Sequence, residues 1–438
     1  MNKFTSNHIS ARSTLFNIEP QGMNSPLVES LTSYISRISD YHCLSTGVFI
    51  SKLLAPYLKK HYISAIATRG GNGFYDCTNG INGIGSLASD FVNVIELLTY
   101  RSDISKTTLL PWTGILPTRG LLESKKKWCP FCYQEAINNT SIIYEPLIWF
   151  LKESKYCLIH KTFLVSKCIK CSKEMNILSR NSKPGFCDNC DCWLGSNKEN
   201  LNNKIPHLGE TLHIEDRIGE MLKTSSGSEK VNINKTQICK SLNYYLDELF
   251  EGNIKDFAET LGIPSTTFRY WVRGINLPPL YSLIRICNVL EISIWEFLQS
   301  KQIPIAKSSM SKLPANKIKD RKKYDYGQIK NILLDEINSS EKNSLTKIAE
   351  KIDCDRKLLY QKFPNESKKI VENYKSKLDL KKTERQKAFH QQLIEVINVL
   401  KERNVYPSRR NVEKELRGNF LLKESYFREV WKDIKKNM

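Results

Sequence analysis

At 438 residues and 40% hydrophobic content, the chain is long enough for roughly two to four globular domains, and it is neither collagen-like nor wholly disordered. No run of about eighteen apolar residues is present to span a bilayer, and the polar stretch Met1 to Gln21 lacks a secretion-signal core, so a bacterial cytoplasmic setting is expected. The formal charge of +20 is uneven: residues 301–438 hold 34 Lys and Arg against 19 Asp and Glu, a net of +15. Such an excess points to a polyanionic partner, because each neutralised phosphate releases counterions; a solvated lysine-rich surface is the plain alternative.

In chain order, residues 1–24 read as a flexible N-terminus and 25–125 as a helical domain. The glycine-rich stretches Gly70-Gly71-Asn72-Gly73 and Gly80-Ile81-Asn82-Gly83-Ile84-Gly85 read as flexible loop, since no Gly-Lys-Ser/Thr follows to make a phosphate cradle. His42 and His61 are isolated and read as surface or packing residues.

Residues 126–197 carry the strongest chemical signal. Cys129-x2-Cys132, Cys157-x2-His160, Cys168-x2-Cys171 and Cys187-x2-Cys190 follow one another, with Cys192 just beyond. A two-residue spacer lets a tight turn aim two side chains at one ion, and zinc takes four N/S ligands in a tetrahedron. Four pairs used in sequence make two closed sites: Cys129, Cys132, Cys157 and His160, then Cys168, Cys171, Cys187 and Cys190. Gaps of 24 and 15 residues within the two sets suit zinc ribbons. Either Cys190 or Cys192 completes the second set, and the spacing favours Cys190. Two structural Zn2+ ions are therefore expected. A disulfide framework does not suit a reducing compartment, and a catalytic zinc would need an open coordination position. His207 and His213 lie past the block, where the pair count leaves no vacancy.

Around this block stand, in order, Glu29-Ser30-Leu31-Thr32-Ser33-Tyr34-Ile35-Ser36-Arg37-Ile38, Thr108-Leu109-Leu110-Pro111-Trp112, Trp128-Cys129-Pro130-Phe131-Cys132, Tyr144-Glu145-Pro146-Leu147-Ile148-Trp149 and Cys157-Leu158-Ile159-His160-Lys161-Thr162-Phe163-Leu164. The first is similar to the opening helix, and the others resemble the later segments, of the TniQ/TnsD family of transposon target-selection proteins. The resemblance covers residues 25 to about 195. It implies a non-enzymatic adaptor that finds a target, either directly as double-stranded DNA or through a CRISPR RNA-guided complex. Such an adaptor recruits an AAA+ ATPase of the TniB or TnsC type, and thereby the transposase. The N-terminal half is the part expected to touch that ATPase, and no small-molecule substrate or membrane is implied.

Residues 198–235 are polar, with Thr224 to Ser228 reading as a linker. Residues 236–300 then read as five short helices resembling a Cro/C1-type helix-turn-helix domain. Ile254, Phe257, Ala258 and Leu261 form one face, Gly262 the turn, and Ser265 or its neighbour caps a second helix that Gly274 stops. Phe268 and Trp271 should be core. Ser265, Thr266, Arg269 and Tyr270 should face a major groove, and Arg273 suits a phosphate or a helix-stabilising role. A basic linker, 301–325, follows. A second helix-turn-helix unit is expected over 326–378, with Leu345, Ile348, Ala349, Ile352, Leu358 and Leu359 inside, Cys354 as core, and Arg356, Lys357, Gln361 and Lys362 toward DNA. A last helical DNA-binding unit, 379–438, is marked by Phe389, Leu393, Val396, Ile397 and Leu400. It continues through a Ser408-capped helix bearing Arg409 and Arg410, and is closed by Leu421, Phe427, Val430 and Trp431. The fold class expected is mainly α, with two zinc knuckle modules.

Overall fold

The chain is described by a computed structural model over residues 12–58, 73–197, 208–226, 235–299, 324–416 and 425–436. It is mainly helical, and among the described residues the extended pairing consists of isolated bridges rather than strands. No helix among them is long and apolar enough to cross a membrane. The Lys-rich stretch from Lys312, together with His61, His207 and Leu421, lies outside the described residues, as do the side chains of His213 and Phe427. Contacts divide the chain into two units, Met1–Lys317 and Ile318–Met438.

The first unit begins with α1, Leu31–Tyr41, where the Ser30 hydroxyl accepts the Ser33 amide. Every residue from Leu31 to Ser39 is buried, so this helix is wrapped on all sides. Its Leu31, Tyr34, Ile35 and Ile38 pack with Phe49 of the short α2, Thr46–Phe49, and with Phe91, Ile95 and Leu98 of α3, Ser86–Thr99. The second glycine-rich stretch, Gly80 to Gly85, is not a loose loop, while Gly70, Gly71 and Asn72 of the first lie outside the described residues. A 3-10 helix spans Tyr75–Asn82, and Asn82, fully buried, accepts the Thr32 amide at 3.0 Å and donates to the Thr32 hydroxyl at 2.9 Å. Glycine here serves close packing: a Cβ on Gly83 would meet the Gly80 carbonyl and Leu122 at 3.2 and 3.3 Å. Residues 25–125 and the cysteine block share their core rather than forming separate bodies. Leu178 lies in the α1–α3 cluster, and the Thr46 hydroxyl donates to the Ser182 carbonyl at 2.8 Å.

Past the cysteine block, the middle of the expected linker is instead a 19-residue helix, α5, Leu208–Ser226, while 198–207 and 227–234 lie outside the described residues. Its apolar stripe is narrow (Ile214, Ile218, Met221 and Leu222), so the segment reads as polar although the stripe is core. In its last turn the Thr224 and Ser225 hydroxyls donate to the Glu220 and Leu222 carbonyls. The helix is packed on one side by Leu147–Phe150 and on the other by the helices that follow. These are α6 (Lys235–Phe250), α7 (Ile254–Thr260), α8 (Ser265–Val272), α9 (Leu280–Val289) and α10 (Ile294–Leu298). One apolar cluster runs from Trp112, Trp128 and Trp149 through α5 to Phe257, Phe268, Trp271 and Phe297. Of the two positions expected to cap α8, Ser265 or its neighbour, the N-cap is the neighbour Pro264, and no side chain makes a cap hydrogen bond there. The helix stops as expected at Gly274, whose φ of +67° lets the Ile275 amide reach back to the Tyr270 carbonyl.

In the second unit, Asp325, Ser344 and Asp355 cap α11 (Tyr326–Asn338), α12 (Leu345–Ile352) and α13 (Arg356–Lys362). Leu345, Ile348, Ala349 and Leu359 are buried around Leu333 and Ile370, with Ile352 and Cys354 packed against them. Helix α14 then runs for 39 residues, Pro364–Glu402. It crosses the boundary expected at 378/379, because nothing between Pro364 and Glu402 breaks a helix: no internal Gly or Pro interrupts it. Its C-terminal part, Phe389, Leu393, Ile397 and Leu400, packs with Val412 of α15, Arg409–Glu415, and with Val430 and Trp431 of α16, Ser425–Lys436. Ser408 caps α15 through the Asn411 amide at 3.2 Å.

Candidate metal centres

Three of the four ligand pairs are built on one repeated turn. In each, a cysteine amide donates to the carbonyl five residues on (Cys157 to Thr162, Cys168 to Lys173, Cys187 to Cys192) at 2.8–3.0 Å. The residue four on, Lys161, Ser172 or Asp191, takes a left-handed φ of 51–56° and returns its amide to that cysteine's carbonyl. Bridges Tyr156–Phe163, Lys167–Glu174 and Phe186–Trp193 close the three loops. The fourth pair is helical: Cys129 precedes α4, Pro130–Asn138, and Cys132 lies in its first turn, with Pro130 at the position where a missing amide costs nothing.

These turns gather Cys129, Cys132, Cys157 and His160 into one group, and Cys168, Cys171, Cys187 and Cys190 into another. Within each group all ligand atoms lie within 4.8 Å of one another. Sulfurs about 2.3 Å from a tetrahedral ion would be roughly 3.8 Å apart, and a sulfur–nitrogen edge roughly 3.6 Å. In the first group, His160 Nδ1 is 3.5, 3.2 and 3.7 Å from the sulfurs of Cys129, Cys132 and Cys157. In the second, Cys168–Cys190 and Cys171–Cys187 are both 3.7 Å. The donor sets fit two four-coordinate metal ions. Without a cation such groups cannot all ionise: thiol contact from Cys132, then Cys157, holds Cys129 well below the usual thiol range, while contact with Cys129 pushes Cys132 and Cys157 up. A dication removes that conflict, because each ligand thiol binds as thiolate.

Supporting residues that the sequence reading did not single out surround the first group. The outer nitrogen of His160, Nε2, faces Glu135 Oε2 at 3.4 Å, a carboxylate that fixes the ring so that Nδ1 points inward. Helical phase was the available signal, as Glu135 lies one turn after Cys132. Glu215, buried on α5, accepts the amides of Lys155 and Tyr156 at 2.9 and 3.2 Å, just before Cys157. Burial pushes its carboxyl up, against the pull of those amides. Gly219, on the same helix, brings it so near that a Cβ would be 3.0 Å from Pro26 and 3.3 Å from Leu158.

Two buried ion pairs tie α1 to this region. Arg37 holds Glu29 through Nε and Nη2, both at 2.8 Å, and Ser33 donates to the same carboxylate at 2.8 Å. Ser33 Oγ also accepts the Glu145 amide at 2.9 Å. Glu145 in turn accepts from Lys126 Nζ at 2.9 Å and the Tyr133 hydroxyl at 3.0 Å. Burial would push Lys126 down, but Glu145 and Asp188 outweigh it and hold the ammonium charged. Burial and the same Glu145 push Tyr133 well above the ordinary phenol range. The Glu-x3-Ser-x3-Arg spacing puts all three side chains of the first pair on one side of the α1 entry. A buried Lys126 has no sequence signal, since a surface lysine reads the same.

Of the residues expected at a nucleic-acid surface, Thr266, Arg269 and Tyr270 are exposed on α8 and Arg273 is exposed at its C-cap, while Ser265 is half-buried. Phe268 and Trp271 are buried on the opposite face. Arg356, Lys357, Gln361 and Lys362 are exposed on α13, where Arg356 contacts the Thr346 hydroxyl at 3.4 Å and Lys362 sits over the Tyr326 ring. Arg409 and Arg410 are exposed on α15, and Arg409 is paired with Glu413 at 3.1 Å. Within the second unit, these last six fall on two helices, α13 and α15.

A family model described as TniQ matches residues 20–164. The match contains both buried ion pairs and all four residues of the first group, and stops before the second. No curated protein matches the chain.

Proposed function

Starting from a TniQ domain at residues 20–164, a domain of a transposition-associated adaptor family, we propose that this protein selects the target site for a transposon. In this reading it binds double-stranded DNA and recruits an AAA+ ATPase of the TniB or TnsC type, and hence the transposase, while catalysing nothing itself. The observation that carries it is the coincidence of the TniQ match with a three-cysteine, one-histidine group whose Cys129 and Cys157 belong to the first unit's apolar core. Both groups hold zinc in a structural role, for four N/S donors leave no open position for a substrate or an activated water. Replacing Cys129 or Cys168 with Ser removes one ion and loosens its knuckles.

DNA binding rests on the exposed Thr266, Arg269 and Tyr270 of α8, with Arg273 at its C-cap, and on the basic second unit. Arg269, exposed on α8, is read as a base-edge contact, so Arg269→Ala should alter sequence preference and cost about 1–3 kcal/mol at the cognate site; a uniform loss across sequences would mark it as a phosphate contact. The deciding experiment is genome-wide DNA binding by the purified protein at physiological salt, beside a truncation ending at Lys317. A discrete site lost on truncation supports direct attachment-site selection. Weak, salt-sensitive binding everywhere moves the address to a partner such as a CRISPR RNA-guided complex. Site-specific binding with no AAA+ partner in pull-down would favour a zinc-containing transcriptional regulator instead.

A further inference from the structure

The second metal group has a fifth sulfur. Cys192 Sγ lies 3.3 Å from Cys168 Sγ and 3.5 Å from Cys190 Sγ, while Cys168 and Cys190 are 3.7 Å apart. The repeated turn explains how it gets there. Cys192 is the residue whose carbonyl accepts the Cys187 amide, the place that Thr162 takes in the first group. There the Thr162 hydroxyl points the same way, 4.0 Å from Cys129 Sγ. The two groups thus share a design in which this side chain faces the cysteine contributed from across the site. In the first group that side chain is a hydroxyl, a poor ligand for a borderline-soft ion; in the second it is a thiol, a good one.

Cys168 and Cys187 are buried and Cys171, Cys190 and Cys192 are half-exposed; of these three, Cys190 and Cys192 flank the left-handed Asp191, two residues apart on one turn. We propose that Cys192 is an alternative fourth ligand of the second centre, exchanging with Cys190 while Cys168, Cys171 and Cys187 stay in place. The first centre, with Thr162, has no such spare. This rests on the reading that both groups hold zinc, and the test separates the two.

Zinc per full-length chain is measured by elemental analysis, with cobalt(II) substitution followed by its thiolate absorption. Wild type should carry two ions; fewer would overturn the two-centre reading and the exchange with it. Given two, Cys190→Ser and Cys192→Ser should each retain two, and the double variant should fall to one, as should Cys171→Ser. One ion in Cys190→Ser, or two in the double variant, overturns the exchange. Because a variant can fail to fold, the zinc-loaded wild type is also alkylated briefly and mapped by mass spectrometry. The peptide holding both residues should appear as two singly modified isomers, one on Cys190 and one on Cys192. Modification on Cys192 alone means a fixed set of four ligands and refutes the proposal.

Discussion

Replacing Arg37 with Ala should damage the first unit more than any surface change, and the size follows from what is left behind. The Arg37 side chain is 5% exposed and the Glu29 side chain 0%. Arg37 supplies two of the donors to that carboxylate and a third contact to the Glu19 carbonyl, all at 2.8 Å. Without it, Glu29 keeps only Ser33 at 2.8 Å and the Gln21 amide at 3.0 Å, in a place that water does not reach. Breaking one side of a buried pair costs about 3–5 kcal/mol, mostly the penalty of the stranded charge. For a unit of this size that corresponds to a fall of roughly 10 °C in the unfolding midpoint. Burial already pushes the Glu29 carboxyl up against the pull of Arg37, and losing Arg37 must raise it further. A carboxyl raised in the folded state contributes stability below its unfolded pKa, about 4.3, and loses it as pH rises through the folded value. The defect should therefore be largest near neutral pH and shrink toward pH 5. Glu29→Gln added to Arg37→Ala removes the charge and should recover about half of the loss, since a neutral amide left short of partners costs about 1–3 kcal/mol. Arg37→Lys should fall between, because one ammonium cannot span both carboxylate oxygens and the Glu19 carbonyl. Thermal unfolding of the zinc-saturated protein by tryptophan fluorescence suits the test, as six of the seven tryptophans lie in residues 1–317. A midpoint shift worth under about 1 kcal/mol for Arg37→Ala, or a double variant no better than the single, would refute the stranded-charge argument.

Three further outcomes are expected. Glu135→Gln weakens the hold on the His160 ring and should lower the first centre's metal affinity by about ten-fold, read by competition with a chromophoric chelator; unchanged affinity would mean that Cys157 and its turn orient the ring alone. Gly274→Ala should cost more than Gly252→Ala. Both have positive φ, +67° and +78°, worth about 1 kcal/mol each, but a Cβ on Gly274 would also meet Cys239 Sγ at 2.9 Å, while Gly252 has nothing nearer than 3.9 Å. Equal costs by urea unfolding would show that Cys239 simply turns aside. In the second unit, Asn343, then Lys351, holds the Glu336 carboxyl below its usual range. Its contribution is present above the unfolded pKa and lost as pH falls through the folded one, so Glu336→Gln should flatten the stability of this unit between about pH 5 and 3. Fluorescence of Trp431, the one tryptophan there, reports it, and parallel wild-type and variant profiles would count against the pairing.

The sequence by itself determined the chemistry that is local. Two-residue spacers name the eight metal-ligand candidates and their order pairs them, because a turn of that length has few ways to aim two side chains at one point. Phe268 and Trp271 inward, with Arg269 and Tyr270 outward, follow from helical phase alone, and so does the cap on Ser408. Tertiary structure decided whatever depends on partners distant in sequence. The stripe on α5 is too narrow to look buried until Leu147–Phe150 and α9 close over it, so a segment that reads as a linker becomes the strut between the knuckles and the helices beyond. Helix α14 runs through a boundary inferred from two separate apolar clusters, because a helix continues wherever nothing breaks it, even between cores. The charges on Glu29, Lys126 and Glu145 look like surface charges in the sequence; only the fold, by bringing Arg37 and Tyr133 to them, makes their burial tolerable. Cys192 belongs to both lists: its spacing marks it as a rival of Cys190, and only the folded turn brings its sulfur within 3.3 Å of Cys168.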